Sequence, residues 1–389
     1  MPPTFVISTG RCGSTLVSRM LRAHPEVLSV SELLSTVRNR GGLDGTPDGA
    51  GFWRMLSEPE PAVDVMAAEK LNVSELIYPY DTGRFDPAEG VPAICHMTLP
   101  MLTDDPDALY DELAAEIPGW PARPVADQYR ALFAHLAGRF GRPVVVERSG
   151  GSLEMLPRLR ERFPEARFVY LTRDGADSAL SMSRHPGFRQ MLLGREAARI
   201  AGVASPEHLG PDQFRLLPPE LGRLLATPSE LPRLMRRDIP VTAFGALWAA
   251  LVREGAGELL RLPADTWMMT TYETLVADAP GELTRLAAFL GVPASAEWLT
   301  EAAGLVDPGR RAASARLDPR LLTALRRSCA PGADADAILA EAAGTARTPG
   351  TARTPGTART PGTARTPGAA VSVAAAAPSP AAARPATAR

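Results

Sequence analysis

Near the start of the chain, Arg11 stands between two glycines in Gly10-Arg-Cys-Gly-Ser-Thr-Leu16, directly after the strand-like run Thr4–Thr9. A strand that turns through glycines into a helix aims backbone amides and the positive end of the helix dipole at one point, which suits an anion. Arg11 has little structural reason to sit at a helix start, where its charge opposes the dipole unless an anion is bound. The loop is not a Walker A sequence. Gly10 and Gly13 have two residues between them rather than four, and no lysine follows, which argues against a kinase or ATPase. A second strand–turn–helix segment, Phe168-Val-Tyr-Leu-Thr-Arg173, is followed by Ser181 eight residues after the arginine, and a third, Thr271-Tyr272-Glu273, leads on to Phe289–Pro293. The five histidines are scattered without ligand spacing, and Cys12, Cys95 and Cys329 form neither a metal-binding pair nor an even disulfide set, so no metal is expected.

The elements that must position these residues alternate between strand and helix patterns. Helical spacing is expected over Ser14–Ala23, Val125–Phe140, Ser152–Phe163, Gly175–Ser183, Val241–Leu262 and Pro280–Leu290, and strands over Thr4–Thr9, Pro143–Glu147, Arg167–Thr172 and Trp267–Thr271. Strands joined by crossover helices predict an α/β fold with a parallel sheet flanked by helices, whose ligands lie beyond the carboxyl ends of the strands. Residues 40–125 and 185–240 are rich in Gly and Pro and break this rhythm. They are expected to be irregular helical insertions. The expected domain covers 1–343. From Thr345 to Gly368 the sequence Thr-Ala-Arg-Thr-Pro-Gly repeats four times, followed by an Ala/Pro-rich stretch. Such a tail buries too little apolar surface to offset its ordering entropy, so 344–389 is expected to be disordered.

These motifs resemble those of sulfotransferases that use 3′-phosphoadenosine 5′-phosphosulfate (PAPS). The first segment is similar to their phosphosulfate loop, the second to their 3′-phosphate motif and the third to their Tyr-Glu-Asp-Leu segment. Around the loop, Arg11-Cys-Gly-Ser-Thr-Leu-Val-Ser-Arg-Met-Leu-Arg-Ala-His-Pro-Glu-Val27 looks most like tyrosylprotein sulfotransferases and related bacterial enzymes. The resemblance implies a P-loop-like sulfotransferase fold over most of 1–343. It implies donor contacts from Arg11, Cys12, Gly13, Ser14, Thr15, Leu16, Arg173 and Ser181, with Tyr272 near the adenine. Continuing the register places Glu32 on the family's general base and Arg148, in Val146-Glu-Arg-Ser149, on a catalytic lysine. The sequence departs from the pattern there and at Ser31, where those enzymes have another acid. Arg11 would stabilise the leaving oxygen and Arg148 the sulfate oxygens. His96 is the rival base, since cytosolic small-molecule sulfotransferases use a histidine, and Arg310 and Arg311 loosely resemble a late nucleotide contact.

The implied activity is sulfuryl transfer from PAPS to an acceptor hydroxyl, with a small molecule or carbohydrate preferred as acceptor. A P-loop nucleotide kinase and a catalytically silent nucleotide- or partner-binding protein of the same fold are the alternatives. Charge argues against nucleic acid. Six of the 42 basic residues lie after Glu341, which leaves 36 basic residues against 44 acidic ones, or about -8, over 1–341. A duplex binder needs a basic face. Lys70 is the sole lysine, so the arginine at 148 follows a chain-wide habit. The longest apolar run, Val241–Val252, is too short to cross a bilayer, and with no N-terminal signal pattern a cytoplasmic setting without membrane contact is expected.

Overall fold

The apolar side chains of the central strands alternate, and that alternation divides the interior in two. The computed structural model describes residues 2–345 apart from 38–41, 72, 308, 310 and 311, so the TARTPG repeats beyond Thr345, Arg310 and Arg311 lie outside the described residues. Five strands, β1 (Thr4–Ile7), β2 (Val27–Ser31), β3 (Val144–Arg148), β4 (Arg167–Thr172) and β5 (Trp267–Thr271), form one parallel sheet in the order β2-β3-β1-β4-β5. Phe5, Ile7, Leu28, Val30, Val145, Phe168, Tyr170 and Met269 face one core, and Val6, Val27, Val144, Val146, Val169, Leu171 and Met268 face the other. A parallel sheet covered on both faces has this two-sided apolar pattern. The expected architecture of a parallel sheet flanked by helices is therefore what the chain forms.

The elements track the sequence pattern, with three differences. β2, not expected from the sequence, is an edge strand whose serines are satisfied locally. Ser29 and Ser31 both pair with Ser18 Oγ on the helix Ser14–Arg22, at 3.0 Å in the case of Ser29, and Ser29 Oγ also donates to the Ser18 carbonyl. The expected helix over Ser152–Phe163 begins as a 3-10 turn, Ser152–Met155, before Leu156–Arg162 becomes α-helical. A 27-residue helix, Pro319–Thr345, closes the fold and runs two residues past the expected domain boundary at 343. It carries Pro331 in its interior, but its neighbour Gly332 lets the backbone approach Trp248, where a Cβ would stand 2.7 Å from the indole. Asp336 then accepts the hydroxyls of Tyr170 and Thr172 at 2.6 and 2.7 Å, which ties this helix to β4. Both expected insertions contain helices between irregular stretches. Residues 40–125 hold Gly49–Ser57, Pro61–Ala68 and Pro106–Glu116, and 185–240 hold the 16-residue helix Pro186–Ala201.

Register decides what meets at the carboxyl edge of the sheet. Val6 and Ser31 both lie opposite Arg148, Ile7 lies opposite Tyr170, and Thr172 lies opposite Thr271. The residues that follow these ends, Ser8–Gly13, Glu32, Arg173 and Tyr272, therefore emerge along one edge with Arg148. β1 feeds leftward to β2 while β3 feeds rightward to β4, so their right-handed connections run in opposite directions over opposite faces of the sheet. Such a reversal opens the crevice in which open α/β sheets bind ligands.

Gly10, Arg11 and Gly13 all have positive φ (80°, 58° and 90°), which curls the loop after β1. A Cβ at Gly13 would stand 2.3 Å from Tyr272 Cδ2, and one at Gly10 would stand 2.3 Å from Phe188 Cζ. Gly13→Ala is therefore expected to destabilise the fold by roughly 2–4 kcal/mol, combining left-handed strain with overpacking against a buried ring. Denaturant unfolding measures this, and a loss under 1 kcal/mol would mean that Tyr272 does not press on the loop.

Candidate functional site

The helix Ser14–Arg22 starts at Gly13, and among the described residues its N-terminus has neither a side-chain cap nor an acidic residue in the first turn. Arg11 projects beside it. Its Nε donates to Ser181 Oγ at 3.1 Å and its NH1 to Glu75 Oε1 at 2.7 Å, while the Thr15 hydroxyl reaches the same carboxylate oxygen at 3.4 Å. Burial alone would raise the Glu75 carboxyl. The Arg11 guanidinium, together with His185, a backbone hydrogen bond and Arg148, outweighs it and holds the group below the usual range. His185 lies in the same electrostatic neighbourhood, and burial followed by Arg11 pushes it down to about 4.

Glu32 and Arg148 form the second half of the site. Both are nearly sealed from water, at 5% and 2% exposure, and Arg148 NH1 donates to Glu32 Oε1. Glu32 Oε2 accepts from Gly150 N at 2.8 Å and Ser35 Oγ at 2.7 Å, and Glu32 N donates to the Arg148 carbonyl at 2.7 Å. Glu32 also has a left-handed φ of 57°, a conformation that strains a glutamate and that such dense bonding can maintain. Arg148 Nε is buried without a hydrogen-bond partner among the described residues. Thr15, Glu32, Glu75, Met97, Met101 and Arg148 line the cleft between the two halves.

Arg173 and Tyr272 meet one strand pair away. The guanidinium lies 4.5 Å from the Tyr272 ring centroid and donates to Asp177 Oδ2 at 3.0 Å, while Asp177 Oδ1 accepts from Ser314 N at 2.8 Å. The sequence groups Arg173 with Ser181, whereas here Ser181 is bonded to Arg11. Tyr272 therefore links Arg173 to the Gly13 loop, and Ser181 links the following helix to Arg11. The Cys12 side chain packs into the core beneath the sheet, fully buried, and burial raises its thiol rather than the helix end lowering it. Only its main chain can serve the loop.

His96 is also fully buried. Its Nδ1 is 2.9 Å from the Tyr80 hydroxyl, and its Nε2 is 3.2 Å from Asp64 Oδ1, close enough to pair as a charge but outside hydrogen-bond geometry. Asp64 accepts from Val91 N at 2.9 Å, so the histidine serves to join the segments around Asp64, Tyr80 and Val91. Tyr78 meets the Tyr80 ring edge-on, with centroids 5.4 Å apart, and the Phe85 ring at a tilt, 6.0 Å away.

Glu75, His185 and Glu147 carry no signal in the sequence. Glu147 precedes Arg148 on β3 and faces the opposite side. It accepts from Leu34 N at 3.2 Å and from Ser149 Oγ, which itself accepts from Ser35 N at 3.1 Å. Together they hold the first turn of the helix Leu33–Val37 and so fix the bend at Glu32.

No family model matches the chain, and no curated protein matches it. Solved structures similar to it include the sulfotransferase domain from the curacin biosynthetic pathway, with 16% identity, 85% of this chain and 97% of that chain covered, and a TM-score of 0.40. Others are the sulfotransferase domain of the Synechococcus PCC 7002 olefin synthase (17%, 87% and 94%, 0.36) and a sulfotransferase from Alicyclobacillus acidocaldarius (16%, 88% and 96%, 0.37). These neighbours are sulfotransferases. Among the described residues no three His, Cys, Asp or Glu side chains gather as metal ligands, and no helix is long and apolar enough to cross a membrane.

Burial pushes the Glu147 carboxyl from its ordinary 4.5 up to about 7 against the lowering effect of Ser149 and Leu34, with the Glu32 charge adding to the rise. The folded protein therefore holds a proton that the unfolded chain releases. The stability this proton contributes is fully present below pH 4.5 and is lost as pH rises to about 7. Relative to Glu147→Gln, the wild type is expected to lose on the order of 3 kcal/mol between pH 4.5 and pH 8. Parallel stability curves for the two proteins would show that Glu147 does not titrate there.

Proposed function

We propose that the protein transfers a sulfuryl group from PAPS to an acceptor hydroxyl. The observation that carries this reading is the convergence of the three motif segments on one edge of the sheet. There Arg11, the Gly13 loop, the Glu32–Arg148 pair, Arg173 and Tyr272 surround the end of β1. The residues present fit an anionic donor. Among the described residues the helix start has no side-chain cap and Arg148 Nε is a buried donor without a hydrogen-bond partner, and the Gly10–Gly13 cradle has no room for added carbon.

PAPS supplies the activated sulfur, whose bond to the bridging phosphate oxygen breaks as the bond to the acceptor oxygen forms. By analogy with phosphoryl transfer, such a displacement depends mainly on positioning and charge neutralisation. Arg11 and the amides of the loop hold the leaving phosphate side, and Arg148 holds the sulfate oxygens. Arg173 and Ser181 bind the 3′-phosphate, and Tyr272 packs near the adenine. Glu32 takes the acceptor's proton, with Gly150 N and Ser35 Oγ keeping its carboxylate directed at the cleft. Bisphosphate and a sulfate ester leave. The apolar Met97, Met101 and Ile77 on the cleft wall suit a small-molecule or carbohydrate acceptor better than a highly charged one. A cytoplasmic enzyme that needs no metal completes the reading.

Adenosine 3′,5′-bisphosphate without magnesium is expected to raise the melting temperature, the stabilisation reaching ~2.7 kcal/mol at a hundredfold excess over Kd. A response only to ATP with magnesium would favour a nucleotide kinase instead. With labelled PAPS and an acceptor panel, Glu32→Gln is expected to lose ~10²–10⁴-fold in turnover, and Arg11→Ala to lose both turnover and bisphosphate binding. Full turnover in Glu32→Gln would place the base elsewhere, and bisphosphate binding without transfer to any acceptor would favour the silent binding protein.

A further inference from the structure

Each arginine of the cleft edge already holds an internal carboxylate: Arg11 with Glu75, Arg148 with Glu32 and Arg173 with Asp177. The three carboxylates are not held alike. Glu32 is fixed by Gly150 N and Ser35 Oγ, and Asp177 by Ser314 N as well as by its place in a helix. Beyond Arg11 and Thr15, Glu75 is bonded to the hydroxyl of its own neighbour Ser74, which is exposed. Its backbone is a single turn, Leu76 N to the Val73 carbonyl, and the chain is next anchored at Ile77 and Tyr78, whose N–H groups donate to the His96 carbonyl. Glu75 thus sits on a short strap, a single turn whose flanking Leu71, Val73 and Leu76 pack against the apolar cluster around Leu193 and Leu221 while its own side chain is held by Arg11 and Thr15. Its carboxylate is at the helix start, on the same NH1 and beside the same Thr15 hydroxyl that an anion in the loop would use. The same strap supplies Ser74, Glu75 and Ile77 to the cleft wall beside Glu32.

We propose that Glu75 is an intramolecular stand-in for the donor's anionic group: it occupies the loop when no donor is bound, and the donor must displace it. This inference rests on the reading of the loop as a donor cradle. Displacement moves the wall that Glu75 shares with the acceptor cleft, so donor binding and opening of the acceptor side are one event. Donor then binds before acceptor. The strap also makes the loop selective by charge, because a ligand that cannot outcompete a carboxylate for Arg11 leaves it closed.

The test is the affinity of wild type and Glu75→Gln for two probes, adenosine 3′,5′-bisphosphate and inorganic pyrophosphate, measured by titration calorimetry, with Glu75→Ala as a second variant. Removing the carboxylate is expected to tighten both probes about tenfold, or ~1.4 kcal/mol. Unchanged or weakened binding in both variants overturns the proposal, since Glu75 would then be neutral towards the anion or part of its support. If the bisphosphate binds none of the three proteins while pyrophosphate binds the variants more tightly, the nucleotide reading fails and the stand-in role survives. If neither probe binds any of the three proteins, the loop is no anion cradle and the proposal fails with it.

Discussion

Two full charges, on Glu32 and Arg148, lie almost entirely out of water at the carboxyl ends of β2 and β3, and the surrounding backbone is arranged to keep them there. Desolvating such a pair costs several kcal/mol per ion, which mutual attraction offsets only where further hydrogen bonds complete the shell. Gly150 N, Ser35 Oγ and the left-handed turn at Glu32 provide that completion for the carboxylate. Among the described residues Arg148 is left with an unmatched Nε. A buried pair complete on its acidic side and incomplete on its basic side favours the arrival of an acceptor of hydrogen bonds, which is what an anion is.

The rest of the molecule transmits this constraint. Glu147 and Ser149 hold the turn that carries Glu32, and the register of β3 against β1 and β2 puts Arg148 level with Val6 and Ser31. On the other side of β1, Tyr272 presses on Gly13 and stacks under Arg173, so the end of β5 supports the loop at the end of β1. Phe188 closes on Gly10 from the helix Pro186–Ala201. The loop is therefore shaped by aromatic rings on two sides, with no space for a side chain at either glycine.

Much of this was legible in the sequence because the signals were local. The loop glycines, the helix Val125–Phe140, and strands β4 and β5 announce themselves by spacing alone. β2 was hidden because Ser29 and Ser31 dilute its apolar pattern, and their burial is tolerable only through Ser18, a residue on the preceding helix. Pro319–Thr345 was hidden because Pro331-Gly332 reads as a break, whereas contact with Trp248 and the bonds to Asp336 sustain the helix across it. Glu75 is a single acid 64 residues from Arg11, and nothing local marks it. The bond from Arg11 to Ser181 is likewise a fact of three-dimensional packing, since 170 residues separate the two.

The acidic balance of the chain acquires a specific meaning at this edge. With a surplus of carboxylates over residues 1–341 and arginine as nearly the sole cation, an arginine cluster left bare would be costly to hold together, and here none of the three is bare. Each guanidinium is pre-positioned by an internal anion, and at Arg11, whose carboxylate partner is the least held, binding an external one is an exchange of partners rather than the filling of a positive hole. The net free energy is then a difference between two charge-assisted contacts, which is small for any weak anion and appreciable only for a ligand that engages several arginines at once. A polyanion with groups spaced to reach Arg11, Arg148 and Arg173 together gains at all three, while a single sulfate or chloride gains at one and must still oppose Glu75. Preference for a multiply charged anion thus follows from the carboxylates as much as from the arginines they hold.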